Sequence, residues 1–272
     1  MKRIGLLGCG AIGTEIALAI DSGKIPAKLT HVFDFSKETS NRLVSALATK
    51  PVIVENAGLL AASPVDIIVE AASQDAVRDN ALSILQNRKD LMIMSAGALL
   101  DESIFEIVLE GCRDFKRQVY LPTGAIAGLD AIRAVRDELE SLVLVTTKNP
   151  KALKGARFFE VSQTDPDSIR EKKVLYEGAA QEAVRMFPAN VNVAALLSLA
   201  GLGGEKTRVQ IIADPSTDKN THQIEASGKF GRISIRVENV PSPTNPKTSR
   251  LATLSAIECL RKVCGTEINV GT

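Results

Sequence analysis

The stretch Arg3-Ile4-Gly5-Leu6-Leu7-Gly8-Cys9-Gly10-Ala11-Ile12-Gly13 decides the fold. An apolar run with the length of one buried strand meets a glycine cluster, and Ile12, Ile16, Ala19 and Ile20 then recur at helical spacing. The cluster reads G-x-G-x-x-G and follows a strand while opening a helix, the context in which such a motif binds a dinucleotide. Gly8 permits the tight turn, and Gly10 lets backbone approach a pyrophosphate. Gly13 lets helix and sheet pack closely, and the helix start supplies free N–H groups and a favourable dipole. Ala11 and Ile12, inside the same turn, complete the expected contacts. Asp34 ends the second strand about 20 residues further on, where a carboxylate hydrogen-bonds the adenosine ribose. That favours NAD; Lys37, close behind, keeps NADP open. Cys9 occupies a variable position of the motif and reads as packing.

Working outward, strand-like runs at Leu29–Phe33, Val52–Val54, Ile67–Ala71, Leu91–Met94 and Val119–Leu121 alternate with helical patterns. Val77, Ala81, Ile84 and Leu85 mark one helix, and Ile104, Ile107 and Val108 another. Solid apolar strands separated by helices indicate a parallel sheet covered on both faces, a Rossmann-type doubly wound α/β domain. Small residues follow two strands, at Ala71-Ala72-Ser73-Gln74 and Ser95-Ala96-Gly97-Ala98. They leave room for a ligand at the carboxyl edge of the sheet, so Ala71, Ala72 and Ser95 join the candidate cofactor contacts.

After Gly124 the grammar changes. Leu142–Val145, Phe158-Phe159 and Val209–Ile212 read as strands, and His222–Val237 alternates apolar and polar residues around Gly228 and Gly231. Alternation predicts a sheet with one face covered, hence a second α+β domain with a largely antiparallel sheet. Gly178–Phe187 and Asn192 to Leu199 read as helices. Val240 to Pro246 reads as a proline-rich connector, and a final helix carries Leu251, Leu254, Ile257 and Leu260 along one stripe. The expected division is residues 1–123 plus 246–272 for the dinucleotide domain, and 124–245 for catalysis, substrate and dimerisation.

Composition narrows the function classes. A net charge of +1 over 272 residues, with Lys and Arg scattered, gives no footprint for nucleic acid, and 4% aromatics give no stacking platform. No apolar run approaches the roughly 20 residues needed to span a bilayer. The first residues do not read as a leader, and a cytoplasmic enzyme is expected. Cys9, Cys112, Cys259 and Cys264 form no C-x-x-C pair and no zinc spacing with histidine, so neither disulfide nor metal is expected.

Histidine is scarce. His31 lies inside the second strand and reads as structural; His222 stands at the entrance of the alternating sheet, where a neutral-pH acid or base can work. Lys206, Asp214 and Lys247 are further acid/base candidates. Asn190 and Asn192 flank a helix start and can cap it or hold a carboxamide. Arg208, Lys247, Thr248 and Ser249 can hold a carboxylate substrate.

The later segments carry a resemblance. Leu6–Gly13, Val69–Ser73, Met94–Leu99, Thr123–Asp130, Phe187–Ala195, Ala213–Pro215, His222–Gly231 and Asn245–Ser249 together resemble the L-aspartate dehydrogenases, in family order and over nearly the whole chain. Thr123 departs mildly, where serine is expected in many relatives. The resemblance implies oxidation of L-aspartate to iminoaspartate with NAD or NADP, then hydrolysis to oxaloacetate and ammonia or hand-over to quinolinate synthase in NAD biosynthesis. It implies His222 as the catalytic residue, with Ala125 and Asn190 or Asn192 (Asn192 preferred) contacting the nucleotide. A homodimer is also implied, as is a final helix returning to the nucleotide domain. Rival readings are another reductase of this architecture, such as a homoserine dehydrogenase or dihydrodipicolinate reductase, and a dinucleotide sensor without catalysis.

Overall fold

In a computed structural model the described residues are 1–188, 192–242, 245–265 and 268, with the side chains of 245–247 outside the description. The chain divides into two compact units, one of Met1–Pro122 with the described part of Thr253–Val270, the other beginning at Thr123 and reaching Ala252.

The first unit carries six strands, β1 (Lys2–Leu7), β2 (Ala27–Phe33), β3 (Val52–Ile53), β4 (Ile67–Glu70), β5 (Asp90–Ile93) and β6 (Val119–Tyr120). Their order is β3-β2-β1-β4-β5-β6 and every pairing is parallel. Between them run α1 (Ala11–Asp21), α2 (Lys37–Ala46), α3 (Ala57–Ala62), α4 (Gln74–Gln86) and α5 (Glu102–Phe115). Successive residues Ile67, Ile68 and Val69 are all inaccessible, which requires cover on both faces and matches the unbroken apolar run. The order of the strands reverses on either side of β1, so the β1–α1 turn opens at the switch point where such sheets bind ligands. Side-chain caps fix the helix starts: Ser36, Asn56, Ser73 and Asp101 each accept a backbone N–H of the following turn.

The second unit contains α6 (Leu129–Ala134), β7 (Leu139–Lys148), α7 (Pro150–Leu153), α8 (Arg157–Ser162), β8 (Lys173–Ala179), α9 (Ala180–Met186), α10 (Asn192–Ala200), α11 (Gly203–Lys206), β9 (Arg208–Ala213), β10 (Asn220–Gly228) and β11 (Gly231–Asn239). The sheet runs β11-β10-β7-β9-β8; only β7 with β9 is parallel, the other three pairings being antiparallel. Two short strands, β12 (Pro241–Ser242) and β13 (Asn245–Ser249), pair with each other. The last helix, α12 (Arg250–Cys264), sends Ala256 and Leu260 into the first unit's core beside Ile4, Val32 and Val69.

Three local expectations need correction. Phe158-Phe159 lies on α8, where Phe158 stacks on Phe187 at 5.2 Å; two aromatic residues carry no period that separates strand from helix. The segment from Gly178 becomes helical only at Ala180, because Lys173–Ala179 is taken up as the edge strand β8 against β9. The proline-rich stretch is no open connector: Pro241 and Ser242 pair with Ser249 and Asn245, proline being tolerated where its missing N–H faces no partner.

Candidate active site

At the β1–α1 turn the glycines are held for different physical reasons. Gly8 has φ +99°, and a Cβ there would meet the Ala71 carbonyl at 2.7 Å and the Ala72 Cβ at 2.8 Å. A Cβ on Gly13 would collide with the Gly8 carbonyl oxygen. Beside Gly10 a Cβ would meet nothing within 4 Å, so the open space lies in front of the helix start. Gly10 is the N-cap of α1 with no side-chain cap bond, and no acid stands in the first turn, where Ala11, Ile12 and Gly13 place their N–H groups. This open, donor-rich cradle fits a pyrophosphate.

Asp34 stands at the end of β2, its Oδ2 accepting the Cys9 N–H at 2.7 Å and its Oδ1 the Ser36 N–H at 2.9 Å. A carboxylate offers about four acceptor positions, so capacity remains for ribose hydroxyls. Phe35 follows, 80% exposed and edge-on to Phe33. Burial and then the Asp34 charge push the Cys9 thiol up to about 12, which keeps it an inert packing group.

Ala71, Ala72 and Ser95 follow β4 and β5; the Ala71 N–H is held by the Leu7 carbonyl, and one residue braces the other two. Glu70, 1% exposed, accepts N–H bonds from Ala72 (2.7 Å), Ser95 (3.0 Å) and Met94 (3.2 Å) and the Ser95 hydroxyl at 2.9 Å. Burial raises its pKa, and these four donors oppose that rise. Sequence reasoning did not single out Glu70; an acid closing an otherwise apolar buried strand was the available signal.

In the second unit His222 sits on β10 opposite Thr146 of β7, its Nδ1 3.0 Å from the Thr146 Oγ1. Side chains alternate along strands, so Thr146 and Lys148 share the covered face with Asn220 and His222. All four are buried, His222 at 2% and Lys148 at 3% exposure. Asn239 of β11, opposite Asn220, donates to the Ala125 carbonyl at 2.9 Å, and the Asn220 amide donates to the Ser249 hydroxyl at 3.3 Å. Towards the other end the same face is apolar, with Leu144 opposite Ile224 and Leu142 opposite Ala226. Burial, then the charge of Lys148, pushes the His222 imidazole down to about 3; burial alone pushes Lys148 down to about 8.

Of the other sequence candidates, Ala125 and Ser249 join this polar end. Thr248 is half-buried beside it on β13, and Asn192 opens α10. Asn190 and the side chain of Lys247 lie outside the described residues. His31 is a half-buried β2 residue bonded to Thr30 through Nδ1 at 3.0 Å. Lys206 and Arg208 are exposed, and Asp214 closes a turn by accepting from the Ser216 N–H and hydroxyl. Thr146, Lys148, Asn220 and Asn239 were missed; extending the alternation of Leu142 and Leu144 to Lys148 would have put two of them on the covered face. Among the described residues no group of three His, Cys, Asp or Glu could hold a metal, and no helix is long and apolar enough to cross a membrane.

A parallel nucleotide-binding sheet with a glycine cradle, joined in sequence to an α+β unit with a buried histidine, defines a nicotinamide-nucleotide-dependent oxidoreductase. Residues 8–122 match the family described as "Homoserine dehydrogenase, NAD binding domain" and residues 130–263 match "Aspartate dehydrogenase, C-terminal". The chain is 63% identical to the L-aspartate dehydrogenase of Nitrosopumilus maritimus and 44% identical to that of Methanococcoides burtonii, covering 100% of each chain in both cases. The crystal structure of aspartate dehydrogenase from Thermotoga maritima superposes with a TM-score of 0.77 at 26% identity, covering 99% of this chain and 100% of that one. The chain belongs to the L-aspartate dehydrogenase family. The homoserine description reaches only the nucleotide-binding residues, and full-length membership leaves the rival readings without support.

Proposed function

We propose that the protein oxidises L-aspartate to iminoaspartate with NAD or NADP, and that His222 is its acid/base. When bound, the nicotinamide supplies the acceptor for the hydride leaving Cα. Gly8, Gly10, Ala11, Ile12 and Gly13 hold the pyrophosphate, Asp34 the adenosine ribose, and Ala71, Ala72, Ser95, Ala125 and Asn192 (or Asn190) the remaining nucleotide contacts. Loss of hydride from Cα must be matched by loss of one proton from the amine, and His222 takes it. With Nδ1 held by Thr146, Nε2 is the atom that exchanges the proton. Water then adds to the imine, giving oxaloacetate and ammonia. Thr248, Ser249 and Lys247 are assigned to the substrate carboxylates.

The observation that carries this reading is the imidazole of His222 set among buried polar groups at one end of an otherwise apolar sheet face. Burial disfavours the imidazolium, so the imidazole is neutral with its lone pair free before substrate arrives, and it takes up a proton once the substrate carboxylates beside it stabilise the charged form. A screen of amino acids following NADH absorbance tests it: aspartate should support reduction of NAD, and homoserine should not. Activity with homoserine alone would overturn the substrate assignment. The same reading makes the enzyme a cytoplasmic member of NAD biosynthesis, a homodimer paired through its second unit, and a donor of iminoaspartate to quinolinate synthase. Light scattering tests the dimer, and a coupled assay with quinolinate synthase tests the hand-over.

A further inference from the structure

Phe35 enters none of the roles assigned above, and packing does not explain its position. It is 80% exposed, whereas the next most exposed aromatic side chain among the described residues, Phe105, is 39% exposed. Single apolar residues on a surface are ordinary, so exposure alone carries nothing. Phe35 differs in where it stands and how firmly it is held. It follows Asp34 directly, and the backbone on either side is pinned. The Gly8 N–H donates to the Phe33 carbonyl at 2.8 Å, Asp34 accepts the Cys9 and Ser36 N–H groups, and the Ser36 hydroxyl oxygen accepts the Thr39 N–H at 3.2 Å. The ring itself meets the buried Phe33 in an edge contact, centroids 5.4 Å apart and planes at 65°. That contact orients the ring and still leaves most of it bare.

A ring held in this way at the end of β2 suits the base of a dinucleotide. With the pyrophosphate at the glycine turn and the adenosine ribose on Asp34, the adenine hangs from the ribose by one bond and falls next to the residues that follow Asp34. Those are Phe35, Ser36 and Lys37; all three are exposed, and only Phe35 has a π face. Stacking covers the flat face of a base and leaves its polar rim in water. We propose that Phe35 is the adenine platform of the nucleotide site, its ring stacking on the base and giving affinity for the adenosine half of the cofactor. This rests on the reading of the glycine turn and Asp34 as the cofactor site. The ring touches no reacting atom, so it contributes to binding and leaves the hydride and proton steps alone. Because it is oriented before nucleotide arrives, little side-chain freedom is lost when the base docks.

The chain contains no tryptophan, so Phe35→Trp introduces a single indole whose emission reports on this position alone. That variant should keep NADH affinity close to the parental value, and its emission should be quenched on adding ADP-ribose. Nicotinamide mononucleotide, which lacks the adenine, should leave the emission unchanged. Phe35→Ala should weaken ADP-ribose binding in calorimetric titration by about 10-fold or more, the usual weight of a base–aromatic stack, and raise the KM for NAD by a similar factor. Its kcat should not fall, and its melting temperature should hold, since the ring is mostly exposed. Phe35→Leu, apolar but not flat, should bind ADP-ribose as weakly as the alanine variant. An indole whose emission ignores saturating ADP-ribose, a folded Phe35→Ala protein with parental ADP-ribose affinity, or a leucine variant with full affinity overturns the proposal. A parent protein that binds neither ADP-ribose nor NADH fails the reading of the glycine turn instead, so the two failures are distinguishable.

Discussion

The nucleotide end of the first sheet and the polar end of the second are built from opposite materials. At the first, the proposed cofactor site is lined by backbone: the turn Gly8–Gly13 offers N–H groups and empty space, and side chains are small or absent. Glu70 and Asp34 act there largely by holding backbone in place. At the second, nearly everything is side chain: Thr146 and Lys148 from β7, Asn220 and His222 from β10, Asn239 from β11 and Ser249 from β13. A backbone cradle tolerates change in side-chain identity as long as space and φ are kept. A side-chain cluster assembled by register fails at single positions. The two ends should therefore respond differently to substitution.

The sharpest separation is expected from His222→Ala. Turnover of aspartate should fall by about 10²–10⁴-fold, the usual weight of a positioned acid/base, while NADH affinity measured by fluorescence titration stays at the parental value. Near-normal turnover in a folded variant would remove the proton-transfer role and leave the polar end as a structural feature.

Glu70→Gln probes the other end. The amide places an N–H₂ where two oxygens now accept four donors, leaving at least one buried N–H without a partner, at a cost of about 1–3 kcal/mol. The loss should appear in the melting temperature and as a raised KM for NAD with kcat little changed. A fall in kcat with KM intact would mean that Glu70 acts beyond bracing the two loops.

The smallest effect is a pH dependence. His222 has a folded pKa near 3 against an ordinary 6.5, so between those values the unfolded chain binds the proton that the folded chain refuses. Acidification through that window therefore favours unfolding, by up to about 1.4 kcal/mol per pH unit, and above pH 6.5 the contribution is complete. Denaturant unfolding at pH 7 and pH 5 should show a larger loss for the parent than for His222→Gln, and equal losses would contradict the buried, neutral imidazole.

Much of the first unit was legible in the residues. Ile67-Ile68-Val69 is solid because both faces of β4 are covered, and the glycine motif is local because its job is done within one turn. The alternation from His222 to Val237 announced the β10–β11 hairpin for the same reason of locality. Legibility ended where partners are remote. Phe158 and Phe159 were misread because two residues hold no period. Lys173–Ala179 became a strand only because the edge of β9 was there to pair with it. Lys148 looked like one scattered surface cation among many.

Strand period, helix period and the glycine turn are properties of neighbouring residues, and from them alone follow the parallel nucleotide-binding sheet, the mixed second unit and the class of cofactor. Which polar side chains meet is a different matter. Thr146 and His222 are 76 positions apart, and it is the antiparallel register of β7 on β10 that brings them to 3.0 Å and turns Lys148 inward. A one-residue slip would send each to the opposite face, so only the assembled sheet determines the surroundings of the imidazole.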